Sequence, residues 1–323
     1  MSENLKLRYS DDDIESSFSD ELVKSVCKTA AFQRLKGISF LGAVEREPSY
    51  LKLRNNRFDH SIGVALLAQH YAKAMELSDS ERVLVVLSAL LHDLGHAPLS
   101  HSLEPLFSDF GLDHHIATSN LLQGKVKLGE DLAKLLRKNR IDSERLVSLM
   151  SGEDFSALGC IFSYPINVDT IEAIWRGGAY FRKQLLNPVS VLDSFIKKEF
   201  ENGVIDSFWQ EKNNFYKLMI YSREGVAADH WARVRVQSSS RSLQPEDFYL
   251  TEKRFFEKYK NENIPDEPAL VKVKVRKFIV NNQITVSDYS AIEDRYEIIR
   301  SKNELEISPP RSEKVKLHSD ALI

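Results

Sequence analysis

SDSERVLVVLSALLHDLGH, residues 78–96, reads as a helix that ends on reactive side chains. Ser78 and Glu81 have capping-box spacing, in which each side chain satisfies a backbone N–H at the helix start. The apolar run VLVVLSALL (83–91) supplies the buried turns, and Gly95 follows the last of them as a stop signal. His92 and Asp93 therefore fall in the closing turn. The next residues, His96 to His101, add two more imidazoles to the same short stretch.

Outward from this helix, residues 20 to about 260 carry helical periodicity, broken by the polar stretches REPSYLKLRNN (46–56), FSDFGLD (107–113) and SSSRSLQPED (238–247). A mainly α domain is expected there. Beyond NENIPDEP, the segment VKVKVRKFIV alternates strictly in its first half, NNQ offers turn residues, and ITVS and RYEIIRS read as extended. These features predict a small C-terminal α+β subdomain over 268–305, followed by a frayed tail over 308–323. The chain of 323 residues is long enough to bury a large core. Its 44 Lys and Arg stand against 47 Asp and Glu, which leaves no broad cationic field for duplex nucleic acid. VLVVLSALL is less than half of a membrane span, and MSENLKLRYSDDD lacks the apolar core of a signal peptide, so a cytoplasmic protein without a membrane partner is expected. Cys27 and Cys160 are too few for a disulfide framework and do not form a thiolate zinc pair. Any metal must be held by nitrogen and oxygen.

Seven of the nine histidines (His60, His70, His92, His96, His101, His114, His115) fall between residues 60 and 115. His60 stands where RFDH opens an apolar helix, His92-Asp93 closes the next, and Asp169 sits just inside a helix start in PINVDTIEAIW. Together, His60, His92, Asp93 and Asp169 would offer two imidazoles and two carboxylates to a divalent ion, a mixed set suited to Mn, Fe, Ni, Zn or Mg. Such an ion acidifies water and polarises a phosphoryl oxygen, so phosphoester hydrolysis is the expected chemistry. A leaving alkoxide needs a proton near pH 7, and His101 is the first choice of acid. His114 is placed in the site, while Asp113 reads as the N-cap of HHIATSNLL. His70 lies far along the helix axis from His60 and reads as structural, His230 as a packing or surface residue, and His318 as part of the tail.

With these residues in hand, the chain resembles the HD-domain phosphohydrolase superfamily, and within it the deoxynucleoside triphosphate triphosphohydrolases, including animal enzymes that add a sterile-alpha-motif domain. The matching pieces are FQRLKGISFLG, NRFDHSIGVALLA, LLHDLGHAPLSH and the VD of NVDTIEAI, spanning residues 32 to about 176. The resemblance implies an all-helical HD core extended by a small mixed subdomain, a divalent metal cofactor (Mn, Fe, Ni, Co, Mg or Zn), a nucleotide substrate and a homo-oligomer. It implies metal ligation by His60, His92, Asp93 and Asp169, a phosphate contact from Arg57, and His96, His101 and His114 around the scissile phosphate. The chain also departs from those enzymes. Phe40 stands where they have a sugar-reading Gln, and Thr170, Ala173 and Gly177 replace a Lys, a Tyr and an Asp of the phosphate and sugar pocket. His114-His115 replaces a His-Glu pair, leaving His115 as a possible extra ligand. Two alternatives accompany the triphosphohydrolase reading: a two-metal phosphodiesterase for cyclic nucleotides or dinucleotides, and a nucleotide-binding regulator without turnover.

Overall fold

A computed structural model of the chain describes residues 5–45, 54–164, 166–181, 187–197, 203–220, 223–259, 271–277 and 301–307. The described chain is mainly helical. Its α-helices are α1 (Asp11–Ser17), α2 (Glu21–Cys27), α3 (Ala30–Gln33), α4 (Arg57–Ala74), α5 (Asp79–Leu91), α6 (His114–Gln123) and α7 (Glu130–Lys138). They continue as α8 (Ser143–Met150), α9 (Cys160–Ser163), α10 (Val168–Gly178), α11 (Pro188–Ile196), α12 (Val204–Phe215), α13 (Arg223–Gln237) and α14 (Glu252–Lys258). Among the described residues, no helix is long and apolar enough to cross a membrane.

The centre of the molecule is α4. Asn56 caps it by accepting from the Asp59 N–H, and side chains from Arg57 through Ala68 are buried on every face, as expected of a helix enclosed by others. It packs against α5 on one side and α10 and α11 on the others. Ile62, Leu66 and Leu67 of α4, Leu87, Leu90 and Leu91 of α5, and Ile171 of α10 share one core. Full burial of each such side chain contributes about 1.5–3 kcal/mol. Tyr9, Ile14 and Phe18, ahead of residue 20, join the same core. The capping box of Ser78 and Glu81 forms as the spacing predicts, and Asp113 caps α6 through the Ile116 N–H.

A second apolar cluster joins Ala97, Leu99, Leu103 and Phe107 to Ala228 and Ala232 of α13 and to Phe248 and Phe255. Leu94 belongs to the first core and Ala97 to the second, so the chain passes between them at Gly95 and His96. The sequence predicts Gly95 as a helix-ending glycine, but His92 caps α5 with ordinary right-handed angles. What residue 95 requires is space: a Cβ there would stand 2.3 Å from the His114 carbonyl and 2.3 Å from the Thr118 nitrogen of α6. Buried Arg34 fastens the same crossing. Its guanidinium donates to the carbonyls of Leu94 (2.9 Å), His96 (2.7 Å) and Leu250 (3.2 Å).

Strands β1 (Val271–Lys277) and β2 (Ser301–Ile307) pair antiparallel, with Val271 opposite Ile307 and Lys277 opposite Ser301. β1 covers the alternating VKVKVRK. The ITVS segment, residues 295–300 of RYEIIRS and the 308–323 tail lie outside the described residues.

One buried acid on the approach to α4 gives the fold a testable pH dependence. Glu45 is 1% exposed and accepts from the Asn55 N–H at 3.2 Å. Burial pushes its carboxyl up from 4.5 to about 8, against the lowering effect of the Asn55 and Leu41 N–H groups. Between those values the folded chain holds a proton that the unfolded chain has lost. Stability therefore falls as pH rises through this window. Glu45→Gln is expected to raise the stability of the protein at pH 8.5 by roughly 2–4 kcal/mol and to leave it unchanged near pH 4.5. Thermal melts of both proteins at the two pH values check this; an equal shift at both would show that the carboxyl is not responsible.

Candidate metal centre

Three helix ends bring four side chains together. His60 lies in the first turn of α4, His92 and Asp93 follow the last turn of α5, and Asp169 is the second residue of α10, behind its Asn167 cap. His60 Nε2 stands 3.0 Å from Asp169 Oδ1 and 3.5 Å from Asp93 Oδ2. His92 Nε2 stands 3.4 Å from Asp93 Oδ1 and 3.6 Å from Asp169 Oδ1. Of the four residues predicted from sequence as ligands, His60, His92 and Asp93 offer ligand atoms within 4.8 Å of one another, and Asp169 faces the two imidazoles. His60 is fully buried and Asp93 nearly so, while the Asp169 side chain is 39% exposed and leaves the cluster open on one side.

The far side of each imidazole explains its orientation. His92 Nδ1 donates to the Ala89 carbonyl at 2.8 Å, a capping bond to its own helix that turns Nε2 towards the carboxylates. His60 Nδ1 meets Glu172 Oε2 at 2.5 Å, which directs its Nε2 in the same way. The electrostatics follow from close opposite charges in a buried place. Burial disfavours a charged His60, yet the Glu172 carboxylate and the Asp169 hydrogen bond raise its pKa to about 9. His92 is also raised, by Asp93 and Asp169 against burial. Burial opposes ionisation of Asp93, but Arg57 and the neighbouring histidines hold its carboxyl well below the usual range.

A divalent ion fits this donor set. Ligands about 2.1 Å from a shared ion lie roughly 3.0–3.5 Å from one another, close to the separations seen here. His92 Nε2 is moreover buried without a hydrogen-bond partner, an orphan that a metal would satisfy.

Beside this centre stands a second group. His96 Nε2 lies 3.0 Å from Asp93 Oδ1, and its ring stacks on His114 with centroids 4.5 Å apart. Glu104 Oε2 accepts from His114 Nδ1 at 2.9 Å and lies 3.7 Å from His101 Nδ1. Burial opposes its ionisation, but the nearby His101 ring and the hydrogen bond from His114 hold the Glu104 carboxyl well below the usual range. Burial and the Arg57 charge push His96 well below an ordinary histidine. The His101 side chain is the open member, at 63% exposure. It is aimed by strain: Leu99 and Ser100 both adopt left-handed angles (φ 57° and 48°), which non-glycine residues rarely accept. Glu252 accepts from the Leu99 N–H, and Ser100 Oγ donates to the Ser39 carbonyl, which holds the turn.

Arg57 is buried; its Nε donates to Ser100 Oγ at 3.1 Å and one terminal nitrogen donates to Asp93 Oδ2 at 2.5 Å. The replaced pocket positions have physical counterparts. Phe40 packs its ring on His60 at 4.7 Å. Thr170 serves the cap of α10 through Asn167, and a Cβ at Gly177 would stand 2.4 Å from the Phe215 ring. His70 pairs with Asp193 at 2.6 Å, well away from the cluster in sequence, and the exposed His115 ring lies against His114. Glu172 and Glu104 carry no signal of their own in the sequence. Each lies three residues after a chosen side chain, Asp169 or His101, a spacing that puts both on one helical face.

Residues 57–164 match the HD domain family. Asp169 lies just beyond the matched segment. The chain is 36% identical to Bacillus subtilis protein YwfO over 124 residues, covering 36% of this chain and 27% of that protein. It is 36% identical to Methanocaldococcus jannaschii protein MJ1154 over 188 residues (56% and 37%). With the human deoxynucleoside triphosphate triphosphohydrolase SAMHD1 it shares 27% identity over 223 residues (65% and 29%). The matches thus span well under half the length of these relatives.

Proposed function

We propose that the protein is a metal-dependent phosphohydrolase acting on a nucleotide, with a deoxynucleoside triphosphate as the first substrate to test. The convergence of His60, His92, Asp93 and Asp169, with His92 Nε2 orphaned among them, carries the reading. An ion held by these four would supply Lewis acidity to a phosphoryl oxygen and acidify water. In this reading His101, exposed and 3.7 Å from Glu104, would protonate the leaving oxygen. His114, fixed by the same carboxylate, orients the group. His96, 3.0 Å from Asp93 Oδ1, would help to hold that carboxylate at the edge of the centre. Similarity to SAMHD1, named a deoxynucleoside triphosphate triphosphohydrolase, supports a nucleotide substrate.

A panel of nucleotides incubated with protein loaded with Mn, Fe, Ni, Co or Mg tests this. Release of phosphate or triphosphate from at least one member is expected, and no turnover with any pairing would reject it. A two-ion phosphodiesterase is the second reading, favoured by the His96, His101, Glu104 and His114 group, whose ligand atoms lie within 4.8 Å of one another. A metal content of one per chain excludes it.

A further inference from the structure

Behind His60, a line of hydrogen bonds leads away from the open side of the site into the protein. Glu172 and Arg176 are both fully buried, one turn apart on α10. Arg176 donates to Glu172 Oε1 from Nε (2.9 Å) and from a terminal nitrogen (2.6 Å). The rest of its fork reaches the carbonyls of Leu7 (3.0 Å), Lys6 (3.3 Å) and Asp59 (3.0 Å). We propose that Glu172 and Arg176 are positioning residues for the metal centre: they hold His60 with its proton on Nδ1 and its lone pair on Nε2, and they anchor this arrangement on the N-terminal segment. The inference rests on the metal-centre reading above.

The argument is one of orientation and charge. An imidazole offers one nitrogen to a metal, and which one is decided by the hydrogen bond at the other. Glu172 can only accept from Nδ1, so it excludes the tautomer that would block Nε2. A carboxylate at this depth needs an opposite charge, and Arg176 supplies one with two N–H groups converging on Oε1. The sequence makes room for the carboxylate, since a Cβ at Gly63 of α4 would stand 2.4 Å from Glu172 Oε1. The N-terminal segment completes the frame. Tyr9 N–H and Arg8 donate to the two oxygens of Asp59, the residue beside His60, while Lys6 and Leu7 accept from Arg176. One short stretch of chain thus braces both the helix that carries His60 and the pair behind it.

The test is a titration of metal-free protein with Co(II) alone, followed by its visible absorption, alongside the melting temperature without metal. Glu172→Gln keeps the volume but can turn an N–H towards His60 Nδ1. It is expected to weaken Co(II) binding about 10–100-fold, the usual effect of losing such an outer partner, and to change the absorption band. Arg176→Lys is expected to retain more affinity than Arg176→Met. Unaltered Co(II) affinity and spectrum in Glu172→Gln overturn the proposal, even if its melting temperature falls, because a purely structural pair would behave in that way. For a variant that does not fold, the Zn(II)-loaded unsubstituted protein gives the answer by nitrogen-15 NMR of histidine. A hydrogen-bonded proton on His60 Nδ1 supports the proposal, and a proton on Nε2 overturns it. Failure of the unsubstituted protein to take up Co(II) at all would instead reject the metal centre itself.

Discussion

Asp169→Asn protein is expected to lose the divalent-ion binding proposed above and to turn over nucleotide about 1,000-fold more slowly than the unsubstituted protein, while the two melt at nearly the same temperature when both are metal-free. The separation of the two effects follows from where Asp169 lies. Its side chain is 39% exposed, and the Asn167–Thr170 cap that starts α10 forms without it. Loss of a negative charge near a helix N-terminus costs about 0.3–1 kcal/mol. In the site, by contrast, Asp169 is the carboxylate shared by His60 and His92, at 3.0 and 3.6 Å. Metal assistance is worth several kcal/mol in phosphoryl transfer, and each 1.36 kcal/mol is about tenfold in rate. Metal content and initial rates on the same preparation check the prediction. A variant that keeps its ion and a tenth or more of its activity would remove Asp169 from the ligand set.

Arg57→Met is expected to act in the opposite order, with stability lost first. The Arg57 and Asp93 side chains are 8% and 7% exposed, and their contact is a close ion pair at 2.5 Å. Removing one partner of such a buried pair leaves an uncompensated charge and costs about 3–5 kcal/mol. For a chain of this size that is a fall on the order of 10 °C in melting temperature. A divalent ion beside Asp93 would replace part of the missing positive charge. Added Mn should therefore raise the melting temperature of the variant more than that of the unsubstituted protein, because ligand bound only to the folded state stabilises it. Melting curves with and without Mn decide this. A loss below about 1 kcal/mol would mean that Asp93 does not depend on Arg57.

Local signals are legible in the sequence wherever the physics is local. The Ser78–Glu81 box and the Asp113 cap depend on neighbours within one turn, and both form. The four clustered side chains are legible because their types and order point to one chemistry, even though His60 and Asp169 are far apart in the chain. Partnership across elements is what the sequence hides. Glu172 three residues after Asp169 reads equally well as a solvated helix face, and only the packing of α4 on α10 shows it behind His60. Gly95 departs from its local signal for a similar reason. A glycine after a helix signals a left-handed cap, but its need for space becomes visible only when α6 is brought against it. The partners of Arg57 are hidden too, since an arginine three residues before a histidine gives no hint that Asp93 and Ser100 already engage its fork.

Arg34 gives the chain crossing a mechanical character. Its guanidinium is buried, and the hydrogen-bond partners found for it are the carbonyls of Leu94, His96 and Leu250. Lifting Leu250 away would strip a cation of one of those oxygens in apolar surroundings and loosen the other two. The residues around Phe248 and Phe255 and the turn bearing His96 are consequently expected to open as one unit, which amide hydrogen exchange in step across both would show. The second apolar cluster is thereby fastened to the stretch of chain that carries His96.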